Sequence, residues 1–188
     1  MSEKILNILK FLNEVEKLKS VTRHMWTSSG RQESVPEHSW RLAVFAMVIE
    51  KEFPEIDMHK VIELVIIHDI GEIYEGDTPA FKENPNKLEK EEKAIIKLVS
   101  SLSAETQEKI IGLWKEYNEC RTNEAKLAKA LDKLEVLIQG NKADIPAWAK
   151  IEKDFILNYG RKFTDFHSFI KEFRKIVDKQ TMEKIKNE

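Results

Sequence analysis

Residues 65–72 read VIIHDIGE, and this stretch decides how the fold of the chain is interpreted. Three apolar residues lead directly into an imidazole and a carboxylate, those of His68 and Asp69. Burying two such groups costs several kcal/mol unless a partner compensates for the lost hydration. The carboxylate of Glu72 follows nearby, and negative charge near a helix C-terminus is unfavourable without a cation. The stretch therefore predicts a cation site at the end of a buried helix.

Two distant residues complete a possible ligand set. His38 lies in the first turn of one apolar helical pattern, and Asp132 lies on the flank of another. Two histidines and two aspartates on three helices form a mixed nitrogen and oxygen set that suits a hydrolytic metal site. Taken singly, His38 could be a core histidine bonded to a carbonyl, and Asp132 could be an exposed partner of Lys129 or Lys133. Taken together, the four residues favour metal binding.

Composition and charge exclude several classes of function. The chain has 188 residues, and its 31 lysines and arginines against 33 aspartates and glutamates give a formal net charge of -2. This balance leaves no electrostatic footprint for nucleic acid, and no apolar run approaches the roughly 18 residues of a membrane span. The single cysteine, Cys120, excludes an internal disulfide and fits a reducing compartment. We expect a cytoplasmic protein that binds neither nucleic acid nor membrane.

Helical periodicity runs through most of the chain and predicts an all-α fold. Predicted helices are an amphipathic one with an apolar stripe over 5–18, a nearly all-apolar and therefore central one over 34–49, and others over 57–68, 87–102, 104–119, 122–140, 146–157 and 163–177. Ser34 and Glu37 have capping-box spacing, and Asp57 can cap the third helix. Polar loops are predicted at 27–32 and 78–85. We expect one domain over 1–188, with a core at about 18–140 and C-terminal helices of 145–188 packed on it.

Two further patterns have ordinary structural interpretations. The charge run from Lys87 to Lys93 is predicted to be a solvated helix face. An aromatic set near the C-terminus is predicted to belong to the core or to a subunit contact; its members are Phe155, Tyr159, Phe163, Phe166 and Phe169.

The ligand candidates form part of an ordered set of motifs. In chain order these motifs are LKSVTRHMW at 18–26, RQESVPEHS at 31–39, HDIGE at 68–72, GDTP at 76–79 and ALDKLE at 130–135. The set resembles the HD-domain metal-dependent phosphohydrolases, in particular the YfbR-type 5'-deoxynucleotidase family. The HD dipeptide alone is a weak signal, whereas the ordered set is strong and covers about 18–140. The resemblance implies an HD-domain helical bundle and a homodimer.

The resemblance also implies an activity, the removal of the 5'-phosphate from nucleoside monophosphates, especially deoxynucleotides. Hydrolysis of phosphate monoesters is among the slowest uncatalysed reactions, and a divalent metal neutralises phosphate charge and lowers the pKa of water. The expected ligands are His38, His68, Asp69 and Asp132. Such a set tolerates Mn, Fe, Co, Ni, Cu or Zn, so the identity of the metal, Mg included, stays open.

Two acidic residues receive roles from the resemblance. Glu72 falls at the family's glutamate after the HD pair and is a candidate general acid or base. Asp77 falls at the family's aspartate after glycine and is a candidate for contacting substrate or protonating the leaving group. Glu72 as a surface residue, and Gly76 with Asp77 as a simple turn, are the structural alternatives.

Three residues before the central helix are candidates for binding substrate. Planar guanidinium groups suit phosphate oxygens, and in the resembling enzymes arginines such as Arg23 and Arg31 contact the substrate phosphate. Arg31 could equally form a structural ion pair with Glu33. Trp26 either stacks on the sugar or base or fills the core. The chain departs from some relatives at His24, where they have an aromatic residue directly after the arginine.

Three other functions stay open at this point. The same metal site could act on a cyclic nucleotide, a nucleoside triphosphate or an alarmone, although alarmone hydrolases typically show a Glu-Asp pair where this chain has Gly71 and Glu72. The site could also bind a nucleotide or metal as a non-catalytic sensor. A helical interaction module with structural histidines and aspartates is the third alternative, and it predicts that no metal binds.

Overall fold

The computed structural model describes residues 1–143 and 155–187 of the chain. Its elements are α1 (Ser2–Val15), β1 (Thr22–Trp26), β2 (Gln32–Ser34), α2 (Val35–Ile49), α3 (Met58–Ile67), α4 (Lys87–Val99), α5 (Ala104–Glu119), α6 (Asn123–Lys142), α7 (Arg161–Thr164) and α8 (Ser168–Lys186), with 3-10 turns at Glu16–Ser20, Glu50–Glu52 and Ile70–Ile73. The prediction of an all-α class is confirmed, with one small hairpin added to it.

Local capping fixes the three helices that carry the ligand candidates. The carboxylate of Glu37 accepts the backbone N–H of Ser34 at 2.8 Å, so α2 begins where the capping box predicts. Asp57 accepts the N–H of Lys60 at 3.2 Å at the start of α3. Thr122 caps α6 through the N–H of Ala125. These caps place His38 in a first turn, His68 at the end of α3 and Asp132 in the third turn of α6.

Helix α3 lies at the centre of the molecule, in contact with α2, α5 and α6, while α6 also packs on β1, α7 and α8. The side chains between these helices are aliphatic and fully buried, which is the expected result of apolar residues at helical spacing. They include Leu42, Ala46, Val61, Leu64, Val65, Leu131 and Leu134.

The segment predicted as a polar loop at 27–32 is the turn of a hairpin and the first residue of its second strand. Strand β1 pairs antiparallel with β2, with Thr22 opposite Ser34 and Trp26 opposite Gln32. The N–H of Thr27 donates to the carbonyl of Arg31 at 2.8 Å and closes the turn. Strands this short carry too little alternation to be recognised in the sequence.

The prediction that the helix over 34–49 is central was wrong. Helix α2 is buried where it faces α3, α6 and the turn Glu16–Ser20, whereas Trp40, Met47 and Val48 are 67%, 61% and 77% exposed. The apolar stripe of α1 is also largely uncovered, with Ile5 and Leu12 both 52% exposed. Periodicity marks the face that prefers burial, but the number of neighbouring helices decides how much of it is covered.

The charge run at the start of α4 is not simply a solvated face. Glu91 is buried, and the ammonium of Lys87 lies 2.8 Å from the carboxylate of Glu72. The turn Ile70–Ile73 packs directly on α4, since a Cβ on Gly71 would lie 2.8 Å from the Cβ of Glu91. Glycine therefore permits an approach that turns one side of a charged helix towards the interior.

The predicted C-terminal helix over 163–177 is divided in the structure. Helix α7 ends at Thr164, and α8 begins at Ser168 and packs on α6. The helix predicted over 146–157 lies mostly outside the described residues. Among the helices that are described, none combines the length and the apolar character that a bilayer crossing requires.

Candidate active site

The structure brings His38, His68 and Asp69 together where α2 meets the end of α3. One ligand atom from each residue lies within 4.8 Å of the others. The Nε2 atom of His68 is 2.9 Å from Oδ2 of Asp69, and the two imidazole centroids are 5.3 Å apart. Both histidines are buried. Three predicted ligands, separated by up to 31 positions in sequence, therefore converge on one point.

Asp132 adjoins this group from α6 and is buried rather than exposed. Its Oδ1 atom lies 3.3 Å from Nε2 of His38. Its Oδ2 atom accepts the hydroxyl of Tyr117 at 2.7 Å and lies 2.8 Å from the ammonium of Lys133. Burial raises the pKa of Asp132, but Lys133 and the histidines outweigh that effect and hold it well below its usual range. The fourth candidate is thus an ionised carboxylate with one oxygen facing the cluster.

The hydrogen bonds of the two histidines leave their Nε2 atoms directed at the cluster. Nδ1 of His68 donates to the carbonyl of Val65 at 2.8 Å, because a carbonyl can only accept. Nδ1 of His38 lies 2.5 Å from the carboxylate of Glu135. Both Nε2 atoms are buried and face carboxylate oxygens of the cluster, Oδ1 of Asp132 for His38 and Oδ2 of Asp69 for His68, and neither makes a hydrogen bond of good geometry with a described residue. Two imidazole nitrogens and two carboxylates that converge in a buried position form a mixed donor set, so these residues fit a divalent metal ion.

Glu135 is a residue that the sequence analysis missed. Its carboxylate contacts Nδ1 of His38 and, at 3.1 Å, the guanidinium of Arg41. Burial and Arg23 lower the pKa of His38, but Glu135 and Asp132 outweigh them and raise it to about 9. A carboxylate behind a ligating imidazole is the usual device for orienting it and increasing its basicity. Glu135 follows Asp132 by three positions, which places both on one face of α6, and that spacing was the available signal.

A cavity of about 260 Å³ opens beside the cluster. Five of the predicted site residues line it, namely Arg23, Asp69, Glu72, Asp77 and Asp132. The cavity therefore joins the ligand group to the candidate acid, base and phosphate-binding residues.

Glu72 lies in the turn Ile70–Ile73 and is buried, which contradicts its interpretation as a surface residue. One carboxylate oxygen accepts the ammonium of Lys87 at 2.8 Å, while Oε2 has no partner among the described residues. Burial and the nearby carboxylate of Asp69 raise the pKa of Glu72 against the opposing effect of Lys87. Glu72 therefore borders the cavity with one carboxylate oxygen that no described side chain occupies.

Arg23 and Asp77 both border this cavity, and different contacts hold the two side chains in place. Arg23 is buried, and its guanidinium lies 2.7 Å from Glu33 and 3.8 Å from Glu135. Asp77 follows a glycine with φ of +80° and accepts the N–H of His24 at a long 3.4 Å. Both side chains are held at the cavity wall with charged groups available to a ligand.

Arg31 and Trp26 are not brought to the cavity, and this corrects their predicted placement. The guanidinium of Arg31 forms two hydrogen bonds to the carboxylate of Glu37 at the surface, and one of them, from Nη1 to Oε2, is 2.9 Å long. The alternative that Arg31 forms an ion pair with Glu33 is not realised, because Glu33 pairs with Arg23. Trp26 contacts the ring of His24 edge-on at 4.9 Å, but it is not among the described lining residues. The hairpin turns Arg23 inward and leaves Arg31 at its outer end.

Lysines and aromatic residues that were not predicted complete the wall. Lys87 from α4, Lys133 from α6 and Tyr159 before α7 all line the cavity. Lys133 was considered only as an exposed partner of Asp132, and Tyr159 only as core or subunit contact. Lys87 and Tyr159 reach the site from elements distant in sequence, so no local pattern could have identified them.

Comparison with known proteins gives a consistent result. Residues 15–174 match the model of a family described as HD domain. The chain is 38% identical over 143 residues to 5'-deoxynucleotidase HDDC2 of Dictyostelium discoideum, covering 71% of this chain and 75% of that protein. For 5'-deoxynucleotidase HDDC2 of Homo sapiens the identity is 32% over 139 residues, covering 72% and 67%. A crystal structure named as a predicted metal-dependent phosphohydrolase from Magnetospirillum magnetotacticum superposes with a TM-score of 0.81 at 26% identity, covering 97% of this chain and 94% of that one.

Proposed function

This chain belongs to the HD domain family, and from that premise we propose that it is a metal-dependent 5'-deoxynucleotidase, which hydrolyses deoxynucleoside 5'-monophosphates to deoxynucleosides and inorganic phosphate. The resemblance found in the ordered sequence motifs is confirmed by the family match and by the named relatives. The observation that carries the proposal is the buried cluster of His38, His68 and Asp69, whose imidazole nitrogens face carboxylate oxygens beside a cavity.

The metal would be held by Nε2 of His38 and His68 and by carboxylate oxygens of Asp69 and Asp132. When bound, a divalent ion supplies neutralisation of phosphate charge and makes water a better nucleophile near neutral pH. Mixed imidazole and carboxylate ligands accept Mn, Fe, Co, Ni, Cu or Zn, and Mg is a further candidate. The family and the donor atoms support a divalent metal without selecting one.

The remaining residues supply binding and proton transfer. Arg23 presents a guanidinium, already oriented by Glu33, to the phosphate oxygens. Glu72 would exchange a proton through its unpartnered Oε2 atom, because its other oxygen is occupied by Lys87. Asp77, on the cavity wall, would contact the leaving group or the sugar. Arg31 and Trp26 have no part in this proposal, since neither is among the described residues that line the cavity.

A panel of substrates tests the proposal. Phosphate release is measured from the common deoxy- and ribonucleoside 5'-monophosphates, a cyclic nucleotide, a nucleoside triphosphate and an alarmone, each with Mn, Co, Mg or chelator. We expect release from monophosphates in the metal-loaded protein, faster for the deoxy series, and none from Asp69→Ala. Turnover confined to another substrate would replace the substrate assignment, and binding without turnover under every metal would support a sensor instead.

We also propose that the protein is a cytoplasmic homodimer. The resemblance to homodimeric enzymes supports the dimer, and a second copy could cover apolar side chains exposed on α2, including Met47 and Val48. Cys120 as a free thiol is compatible with a reducing compartment. Light scattering should give twice the mass of the chain for the wild-type protein and the mass of a single chain for Val48→Glu. A monomeric wild-type protein at micromolar concentration would refute the dimer.

A further inference from the structure

We propose that Lys133 binds the phosphate of the substrate and that Tyr159 and Gly160, from the segment before α7, hold it in place. The inference rests on the proposed function, because the ligand class is a phosphate monoester or free phosphate. It assigns a binding role to a residue that lies directly after a candidate metal ligand.

The contacts of Lys133 leave it one donor for a ligand. Its ammonium lies 2.8 Å from Oδ2 of Asp132 and donates to the hydroxyl of Tyr159 at 2.9 Å. An ammonium carries three N–H donors, and these two contacts use two of them. The side chain is 18% exposed, and it lines the cavity. The third donor is therefore available on the side where the substrate would lie.

Charge balance favours an anion at this place. The described lining of the cavity carries as many acidic as basic side chains, so a bound divalent ion would add an excess of positive charge; the acidic ones are Asp69, Glu72, Asp77 and Asp132, and the basic ones are Arg23, Lys82, Lys87 and Lys133. With a metal bound, the positive charge of Lys133 is left without a full counter-charge in a largely buried position. A buried charge is costly unless it is paired. A phosphate dianion entering the cavity would provide the missing partner.

The segment before α7 is fitted closely to the stem of Lys133. Gly160 has a φ of +67°, and a Cβ there would lie 2.5 Å from both Cβ and Cγ of Lys133. The ring of Tyr159 lies below the ammonium, with 5.0 Å between Nζ and the ring centroid. A glycine is required for both the backbone conformation and the approach. The lysine consequently has few alternative positions.

Helix α8 fixes the backbone of this segment. The guanidinium of Arg174 donates to the carbonyls of Tyr159 at 2.6 Å and Leu157 at 3.2 Å, and its Nε atom lies 2.6 Å from Asp178. Arg174 and Asp178 are both buried. The C-terminal part of the chain thus supports the wall of the cavity that carries Lys133.

The test compares Lys133→Met with Lys129→Met. Lys129 lies one turn earlier on α6, over the ring of Tyr117 at 3.6 Å, and is not among the described lining residues. Calorimetry measures binding of Mn²⁺ alone and then of inorganic phosphate to the Mn-loaded protein. Loss of one charge-assisted hydrogen bond predicts phosphate binding weakened about 10- to 100-fold in Lys133→Met. Metal affinity should not fall, because Lys133 repels a divalent ion and competes with it for the carboxylate of Asp132, and Lys129→Met should resemble wild type in both measurements.

Conservative variants keep the test decisive if Lys133→Met does not fold. Tyr159→Phe retains the ring and removes one hydrogen bond, so it should raise KM for a deoxynucleotide more than it lowers kcat and should leave metal affinity unchanged. Lys133→Arg should recover part of the phosphate affinity.

The inference is overturned if phosphate affinity is unchanged in both Lys133→Met and Tyr159→Phe. It is also overturned if Lys133→Met loses metal affinity and phosphate affinity equally, because Lys133 would then only hold the metal ligands in place. These outcomes are separate from failure of the proposed function. A wild-type protein that binds phosphate but releases none from any nucleotide refutes the function, whereas turnover with unchanged phosphate binding in the variants refutes only the role of Lys133.

Discussion

Replacement of Glu135 by glutamine should weaken metal binding without unfolding the protein. The carboxylate of Glu135 and the imidazole of His38 are both buried and lie 2.5 Å apart. Glutamine keeps one carbonyl acceptor for Nδ1 of His38, replaces the oxygen that accepts from Arg41 by an amide NH2, and removes the negative charge that makes the imidazole a better ligand. Removal of such an outer partner typically costs about 10- to 100-fold in metal affinity. We expect the lower end, about tenfold or roughly 1.4 kcal/mol, because the hydrogen bond itself survives.

The choice of glutamine follows from the remaining contacts of Glu135. Glu135→Leu would leave the guanidinium of Arg41, and in part that of Arg23, without a carboxylate partner. Breaking a buried charged pair in this way costs about 3–5 kcal/mol. In a domain stabilised by about 5–15 kcal/mol, part of the protein could then be unfolded, and a drop in measured metal binding would not distinguish unfolding from weaker affinity. Glutamine separates the two effects.

The assay is a titration of metal-free protein with Mn²⁺ by calorimetry, accompanied by urea denaturation. Glu91→Gln is the matched control, because Glu91 is another buried carboxylate and forms its ion pair with Lys87 rather than with an imidazole. A tenfold loss of affinity in Glu135→Gln and none in Glu91→Gln would support the argument. Equal affinities for wild type and Glu135→Gln would refute the role assigned to Glu135.

Three other predictions address the metal, the packing and the pH dependence of stability. Loading with Co²⁺ at 100 times its Kd should stabilise the wild-type protein by about 2.7 kcal/mol, seen as a higher Tm that chelator reverses; an equal rise in His68→Ala would contradict the ligand assignment. Gly71→Ala should cost about 1–3 kcal/mol in urea denaturation, because the new Cβ would meet Glu91 at 2.8 Å; an unchanged midpoint would contradict this packing. Arg31 and the cap of α2 lower the pKa of Glu37 from 4.5 to about 2, so the carboxylate of Glu37 stabilises the fold fully above about pH 4.5, and this contribution disappears as the pH falls towards 2. The difference in unfolding free energy between wild type and Glu37→Gln should therefore shrink between about pH 4.5 and 2. A difference that stays constant over this interval would contradict the role of the Glu37 carboxylate.

The parts of the site that sequence could predict are those fixed by local structure. Capping residues determine where α2 and α3 begin, and these boundaries place His38 and His68 at helix ends where an imidazole can face a shared point. That this point is shared with Asp69 could be inferred only from the chemistry of the residue types and from the ordered motifs. Distances between helices that are far apart in sequence have no local signal.

The parts that could not be predicted depend on which elements become neighbours. Lys87 belongs to a charged helix whose periodicity is that of a solvated face, and only its contact with the turn carrying Glu72 turns it to the cavity. Tyr159 is likewise one aromatic residue among several until its hydroxyl meets Lys133. The exposed side of α2 has the same origin, because apolar composition cannot specify how many helices surround it.

The hairpin explains why two arginines that look equivalent in sequence have different roles. Pairing of Thr22 with Ser34 sets Arg23 and Glu33 side by side on the buried side of β1 and β2, where they form an ion pair at 2.7 Å. Arg31 lies at the turn, so its guanidinium reaches Glu37 and strengthens the cap that begins α2. One arginine therefore supplies charge to the cavity, whereas the other stabilises the helix that presents His38. Loss of Arg31 should consequently lower stability rather than phosphate affinity, and loss of Arg23 should impair both.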